Sequence, residues 1–195
     1  MTNQGQIDNW IAAAQAGDQI ASEALYRHYV SAVYRLAYGV LLDEQDAEEV
    51  VQDSFSYALC QINQYDPSLS AFKTWLFTIT MSRCRNKRRR KWLPTVRIAD
   101  VIEQLPGSEP RPEVQAMRQH GRQSVHEALQ ELSPKLREAI VLRYFEEMTY
   151  REMGDILGCP QKTAESRIRL AHEALFRLLA DQRETLLEEL SGYEA

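Results

Sequence analysis

Glycine is scarce: eight in 195 residues, with no G-x-x-x-x-G-K run. That excludes the backbone cradle of a phosphate-loop nucleotidase. Alternating strand patterns are absent, and apolar residues recur at helical spacing almost throughout. The pattern predicts an all-α protein. Cysteine is limited to Cys60, Cys84 and Cys159, odd in number and far apart. This usage fits reduced thiols rather than a disulfide framework. His28, His120, His126 and His172 have no zinc spacing with those cysteines, so no metal is expected. No apolar run approaches the roughly 18 residues of a membrane span. The polar start, Met-Thr-Asn-Gln-Gly-Gln, has no signal-peptide core. A cytoplasmic chain without membrane insertion is the expectation. No Ser/His/Asp, Cys/His or paired-carboxylate set converges, so neither catalysis nor a cofactor is expected.

Basic charge is in the minority, with 23 Lys and Arg against 28 Asp and Glu. Yet residues 83–91 carry seven basic side chains in nine, just after Phe72, Trp75 and Phe77 and just before Trp92. Such a run reads either as a solvated helix end or as a nucleic-acid contact. In the second reading the charges hold phosphates and aromatic rings stack on bases. Acid is concentrated elsewhere: Asp43, Glu44, Asp46, Glu48, Glu49 and Asp53 fall within 11 residues and have no basic neighbour in sequence. Val50, Val51 and Phe55 supply the buried face there, which directs the acids outward. A helix start favours some of this charge, but six acids exceed that need and suggest a partner with a basic surface.

Four of the seven prolines, Pro94, Pro106, Pro110 and Pro112, lie in 94–112. Proline blocks helix continuation, so the stretch reads as an extended linker. Its apolar Val96, Ile98, Val101, Ile102 and Leu105 suggest that it docks on something. It divides two small helical domains, 5–93 and 113–182, which are followed by an acidic tail, 183–195. The tail reads as a plain helix end or as a regulatory extension.

In the first domain, Ile7, Trp10, Ile11 and Ala14 mark one helix, and Gly17-Asp18 ends it. Leu25, Tyr29, Val33, Leu36 and Val40 mark a second. A later helix, about 70–92, has Phe72, Trp75, Leu76 and Ile79 inward. That stripe continues into Arg83, Asn86 and Arg90, so the last turns are expected to leave the core for solvent or a charged partner. In the second domain, Ser133-Pro134 starts a helix packed through Leu136, Ala139, Ile140 and Tyr144. Thr149-x-x-Glu152 is a capping box, Gly158 a left-handed turn, and Pro160 restarts the chain. The last helix has Ala164, Ile168, Ala171, Leu175 and Leu178 inward. Gln161, Lys162, Glu165, Ser166 and Arg169 face out. This is a helix-turn-helix pattern.

In order along the chain, these segments resemble the extracytoplasmic-function sigma factors of bacterial RNA polymerase. Asp46-Ala-Glu-Glu-Val-Val-Gln-Asp-Ser-Phe55 is similar to the family's segment that grips the clamp of the polymerase largest subunit. Phe72-Lys-Thr-Trp-Leu-Phe-Thr-Ile79 is similar to its F-x-x-W-L-x-x-I melting segment. Glu131-Leu-Ser-Pro-Lys-Leu-Arg137, Tyr150-Arg-Glu-Met-Gly-Asp-Ile-Leu-Gly158 and Thr163-Ala-Glu-Ser-Arg167 are similar to its −35-binding domain.

The resemblance implies a subunit that directs core polymerase to promoters. Asp46, Glu48, Glu49, Gln52, Asp53 and Phe55 would bind the polymerase. Asn63, Gln64, Tyr65 and Asp66, with Lys73, Arg83, Arg85, Lys87, Arg88 and Arg90, would hold −10 DNA. Tyr65 reads equally as a packing residue. Gln161, Lys162, Thr163, Glu165, Ser166, Arg167 and Arg169 would contact −35 DNA. The implied partners are core RNA polymerase, through its clamp and the flap of the second-largest subunit, promoter DNA, and an anti-sigma factor. Ser82, Asn86, Lys162, Glu165, Leu170 and His172 depart from the family pattern. A helix-turn-helix regulator acting on duplex DNA alone is the competing reading. It leaves the acidic helix and the basic-aromatic stretch without a role.

Overall fold

A computed structural model describes the backbone of residues 4–92 and 125–191, and side chains through 91 in the first stretch and through 178 in the second. The apolar linker segment 96–105, the Trp92 side chain and the tail side chains lie outside the described residues. Every regular element among those described is helical, as the periodicity predicts.

Helix α1 (Gln4–Gln15) buries Ile7, Ile11 and Ala14 and ends at Gly17, whose φ of 92° reverses the chain. The Asp18 carboxylate then accepts from the N–H groups of Ile20 and Ala21, capping α2 (Gln19–Leu41). Leu42 closes α2 in the left-handed region at φ 58°. Asp43 follows at once and caps α3 (Glu44–Cys60) by accepting from the Asp46 N–H at 2.8 Å. A 3-10 turn, Ile62–Gln64, and a loop lead into α4 (Phe72–Trp92).

The helical segment 125–131 is α5. Helix α6 (Pro134–Ile140) widens into a π-helical turn, Val141–Phe145. Then come α7 (Tyr150–Leu157) and α8 (Gln161–Ser191).

Helix α4 lies between elements from both halves of the chain. It packs against α2 and α3 on one side and α7 on the other. Its core face is therefore wider than Phe72, Trp75, Leu76 and Ile79. Phe77, Thr80, Met81 and Cys84 are fully buried, while Trp75 and Ile79 are half-buried. The two helical sets share one continuous apolar core.

The π turn corrects another expectation. A π turn widens the helix, so residues within and after it leave the α-helical stripe. Tyr144 consequently turns outward and is 53% exposed, with its hydroxyl 2.7 Å from His172 Nε2, while Val141 and Leu142 take the buried positions.

Candidate nucleic-acid interface

The basic end of α4 runs alongside α3, and the chain's concentrated acid and base meet there. Lys87 pairs with Glu49 and lies 3.4 Å from Asp46. Lys91 pairs with Asp46 and lies 3.2 Å from Asp43. Asp46 is therefore buried beneath α4 rather than outward-facing, a correction to the sequence pattern. Its burial is tolerable because two ammonium groups face it. Glu44, Glu48, Glu49, Gln52 and Asp53 do face outward. Phe55 does not: it is buried, with Tyr26 edge-on at 4.8 Å between ring centroids.

These contacts shift three of the groups toward their charged forms. Backbone N–H donation from Asp46 holds the Asp43 carboxyl below its usual range, with Lys91 adding to the effect. Hydrogen bonding to Asp46 raises the Lys91 pKa. Burial opposes the Lys87 ammonium, but Glu49 and Asp46 outweigh it and its pKa is raised.

Along the rest of the run, Arg83 stacks over the Tyr57 ring at 4.7 Å. Arg85 and Arg88 both reach Glu138 of α6, at 2.7 and 3.1 Å. Arg90 and its neighbour Arg89 are exposed, and no described residue pairs with them. Lys73, at the start of α4, lies over the Phe77 ring and 3.2 Å from Glu146. The last turns of α4 thus meet a charged partner, and part of that partner is the chain's own second half.

The loop before α4 separates its candidates. Asn63, Gln64 and Asp66 are exposed, and the Asp66 carboxylate is occupied by the Ser68 N–H. Tyr65 is buried. Its ring sits 5.2 Å from Phe72 and 5.5 Å from Trp75, and its hydroxyl donates to the Ser70 carbonyl. Aromatic packing and the hydroxyl bond engage Tyr65 within the fold, so its assignment to −10 DNA is corrected to a structural one.

The helix-turn-helix forms as its caps dictate. Thr149 and Glu152 make a reciprocal capping box, and Gly158 turns the chain at φ 67°. A side chain at Gly154 would meet the Cys159 carbonyl oxygen at 2.8 Å, so only glycine allows α7 and α8 to approach this closely. Ala164, Ile168 and Ala171 seat α8. Gln161, Lys162, Glu165, Ser166 and Arg169 project outward, with Thr163 and Arg167 half-buried. Two outward acids are engaged along the helix: Glu165 accepts from Gln161 at 2.9 Å, and Glu173 pairs with Arg169 at 2.5 Å.

A basic-aromatic helix beside an acidic helix, followed by a capped helix-turn-helix, is the combination that the resemblance requires. The family profile for sigma-70 region 2 matches residues 25–93, and that for sigma-70 region 4 matches 122–175. The chain belongs to the sigma-70 family. It is 31% identical over 176 residues to the extracytoplasmic-function sigma-E factor of Salmonella typhimurium, covering 85% of this chain and 90% of that one. A solved structure of CnrH in complex with the cytosolic domain of CnrY superposes with TM-score 0.67 at 28% identity, covering 88% of this chain and 96% of that one. The sigma factor RpoE of Bartonella quintana, solved with the anti-sigma factor NepR, superposes with TM-score 0.59 at 25% identity, covering 81% and 96%.

This sigma factor directs core RNA polymerase to promoters and promotes initiation. Region 2 holds α2 to α4, and region 4 holds the helix-turn-helix. No described helix is long and apolar enough to cross a membrane, and no described cluster of His, Cys, Asp or Glu could hold a metal ion. Sequence reasoning missed Arg35, Glu138 and Glu146. The one available signal was an acid, Glu138, immediately before the apolar Ala139 and Ile140.

Proposed function

We propose that the sigma factor divides its work among three surfaces. The first is the outward side of α3 with the adjoining part of α2. A cleft of about 500 Å³ lies there, lined by Tyr26, Tyr34, Arg35, Glu48, Val51 and Gln52. Glu48, Glu49, Gln52 and Asp53 meet the polymerase clamp, while Asp46 and Phe55 support them from beneath. The second is the loop with Asn63, Gln64 and Asp66 together with the basic side of α4. Here Lys73, Arg83, Arg85, Lys87, Arg88 and Arg90 hold the backbone of the −10 element as it opens. Extruding a base costs a few kcal/mol, which contacts from the loop offset.

The third surface is α8. Gln161, Lys162, Thr163, Glu165, Ser166, Arg167 and Arg169 enter the −35 major groove. Phe176, 77% exposed on the same helix, offers an apolar contact for the polymerase flap. The protein performs no catalysis of its own and works in the cytoplasm, where the polymerase is. By analogy with the RpoE relative, an anti-sigma factor is a further partner.

The observation that carries the −35 assignment is the outward polar face of α8 behind a capped α7 and a glycine turn. The test of the whole reading is promoter-dependent run-off transcription with purified core polymerase. Initiation should depend on this protein. High-affinity dimeric binding to duplex DNA with no stimulation of initiation would overturn the reading in favour of a stand-alone regulator.

A further inference from the structure

With Tyr65 packed into the fold, the loop before α4 offers no aromatic ring to the proposed −10 surface. An extruded base loses its stacking neighbours, and a flat partner must replace them. Phe72 and Phe77 are buried, and Trp75 is half-buried against Tyr65 and Phe72. Among the described residues of region 2, the exposed aromatics are Tyr26 and Tyr57, at 40% and 43%. Tyr26 lines the cleft between α2 and α3 and meets Phe55 edge-on, on the surface proposed for the clamp. Tyr57 remains.

Tyr57 sits one turn before the end of α3. Its carbonyl accepts from the Gln61 N–H at 2.9 Å, which ties the start of the loop to it. Asn63 and Gln64 follow in the 3-10 turn. From α4, the Arg83 guanidinium lies over the Tyr57 ring at 4.7 Å. The pair therefore stands where the loop meets the basic side of α4, the two parts of the proposed −10 surface.

Arg83 also differs from its neighbours in how it is held. Arg85, Lys87, Arg88 and Lys91 all pair with carboxylates. No described carboxylate pairs with Arg83, and its partner is a neutral ring. Its charge is fixed in place without being neutralised. A ring also orients a guanidinium as a plane: one face rests on the tyrosine, while the other face and the N–H edge stay available. An unpaired nucleotide suits both. Its base stacks on the free face, and its phosphate accepts from the edge.

We infer that Tyr57 and Arg83 form a stacking platform for one unpaired base of the −10 element, with the guanidinium between the tyrosine ring and the base. The inference rests on the assignment of the loop and α4 to −10 DNA. It gives Arg83 a task beyond phosphate contact, one that depends on its flat shape. It also brings Tyr57, from the helix that carries the acids, into the DNA site. Every base has a π face, so the platform holds a base without reading its identity. Selection is left to the polar side chains of the loop.

The test uses the full chain with core polymerase and a promoter fragment active in run-off transcription. Single abasic sites are placed in turn along the non-template strand of its −10 element. An abasic site keeps the phosphate and removes the stack. The rate of open-complex formation is measured for wild type, Tyr57→Leu, Arg83→Lys and Tyr57→Phe. In wild type, one abasic position should slow opening about tenfold, the size of one lost base stack. Tyr57→Leu, which lacks the ring, and Arg83→Lys, which keeps charge but not plane, should slow the intact promoter similarly. In both, the abasic site at that position should then cost little more. Tyr57→Phe keeps the ring and should retain the wild-type sensitivity to that abasic site. If abasic sites at every position cost Tyr57→Leu and Arg83→Lys as much as wild type, the platform is overturned, while intact wild-type run-off leaves the functional reading standing. Loss of wild-type run-off would instead strike the functional reading, and the platform with it.

Discussion

Arg85 holds Glu138 from 53 residues away in the sequence, with Nη2 at 2.7 Å and Nε at 3.2 Å from the same carboxylate oxygen. The guanidinium belongs to the run that marks this chain for DNA, and the carboxylate is buried at the edge of the other region. A double-mutant cycle on Arg85→Ala and Glu138→Ala should give a coupling energy of about 1–3 kcal/mol in urea unfolding. A coupling near zero would mean that the pair contributes no more than a solvated surface bridge.

Arg89 and Arg90 are the exposed members of the run. Alanine at both should weaken open-complex formation across promoters. It should also lower the salt slope of binding by about one per lost phosphate contact. Selective loss at a single promoter sequence would argue for base reading instead.

Glu165 stands outward on α8, where the family pattern has a basic residue. Glutamate repels phosphate but accepts from the cytosine N4 amine. Glu165→Lys should shift the preferred base at one −35 position by about 1–3 kcal/mol, scored by run-off from a randomised −35 library. An unchanged preference would exclude Glu165 from the groove.

Thr149 supports the recognition helix from a distance, through the capping box with Glu152. Thr149→Ala should cost about 1 kcal/mol of region 4 stability. Glu152→Gln, which can still accept from the Thr149 N–H, should cost less. Thermal melts followed by circular dichroism give the comparison.

Two of the thiols should differ sharply. Cys60 is exposed, whereas burial, with Glu138 adding to it, pushes the Cys84 thiol up to about 12. Only the thiolate reacts, so at pH 8 a thiol-specific reagent should modify Cys60 quickly and spare Cys84 until the chain unfolds. The raised pKa also sets a pH dependence. Below the ordinary 9.0 of a thiol both folded and unfolded forms stay protonated. Between there and about 12 only the unfolded form ionises, so stability falls as pH rises through that window. At the acid end the sign reverses for Asp43, whose depressed pKa contributes stability above the usual carboxylate range and loses it as pH falls through the folded value. Equilibrium unfolding from pH 2 to pH 11 should therefore decline at both ends.

Much of the candidate site was legible because it is local. Capping boxes, glycine turns and helical stripes depend on residues three or four apart, so Thr149, Gly158, Ala164 and the outward face of α8 could be read directly. The outward acids of α3 followed from its apolar stripe in the same way. Errors arose where a third element intervenes. Asp46 looked exposed because Lys87 and Lys91 are about forty residues distant. Tyr65 could stack on a base or on Phe72 and Trp75, and only the fold of the loop decided. Tyr144 was misplaced by the π turn, one extra residue in a helical repeat that periodicity treats as constant.

By itself the sequence determined the helices, their caps, the chemistry of each surface and the family. All of these are carried by short-range spacing and by the order of segments along the chain. Tertiary structure alone decided which charges are free. The run 83–91 reads as seven equivalent cations, but in the folded chain Arg83 lies over Tyr57, Lys87 and Lys91 are tied to Asp46, Arg85 and Arg88 to Glu138, and Arg89 and Arg90 are exposed. Ion pairing depends on distance through space, and only the packing of α4 between α3 on one side and α7 on the other sets those distances.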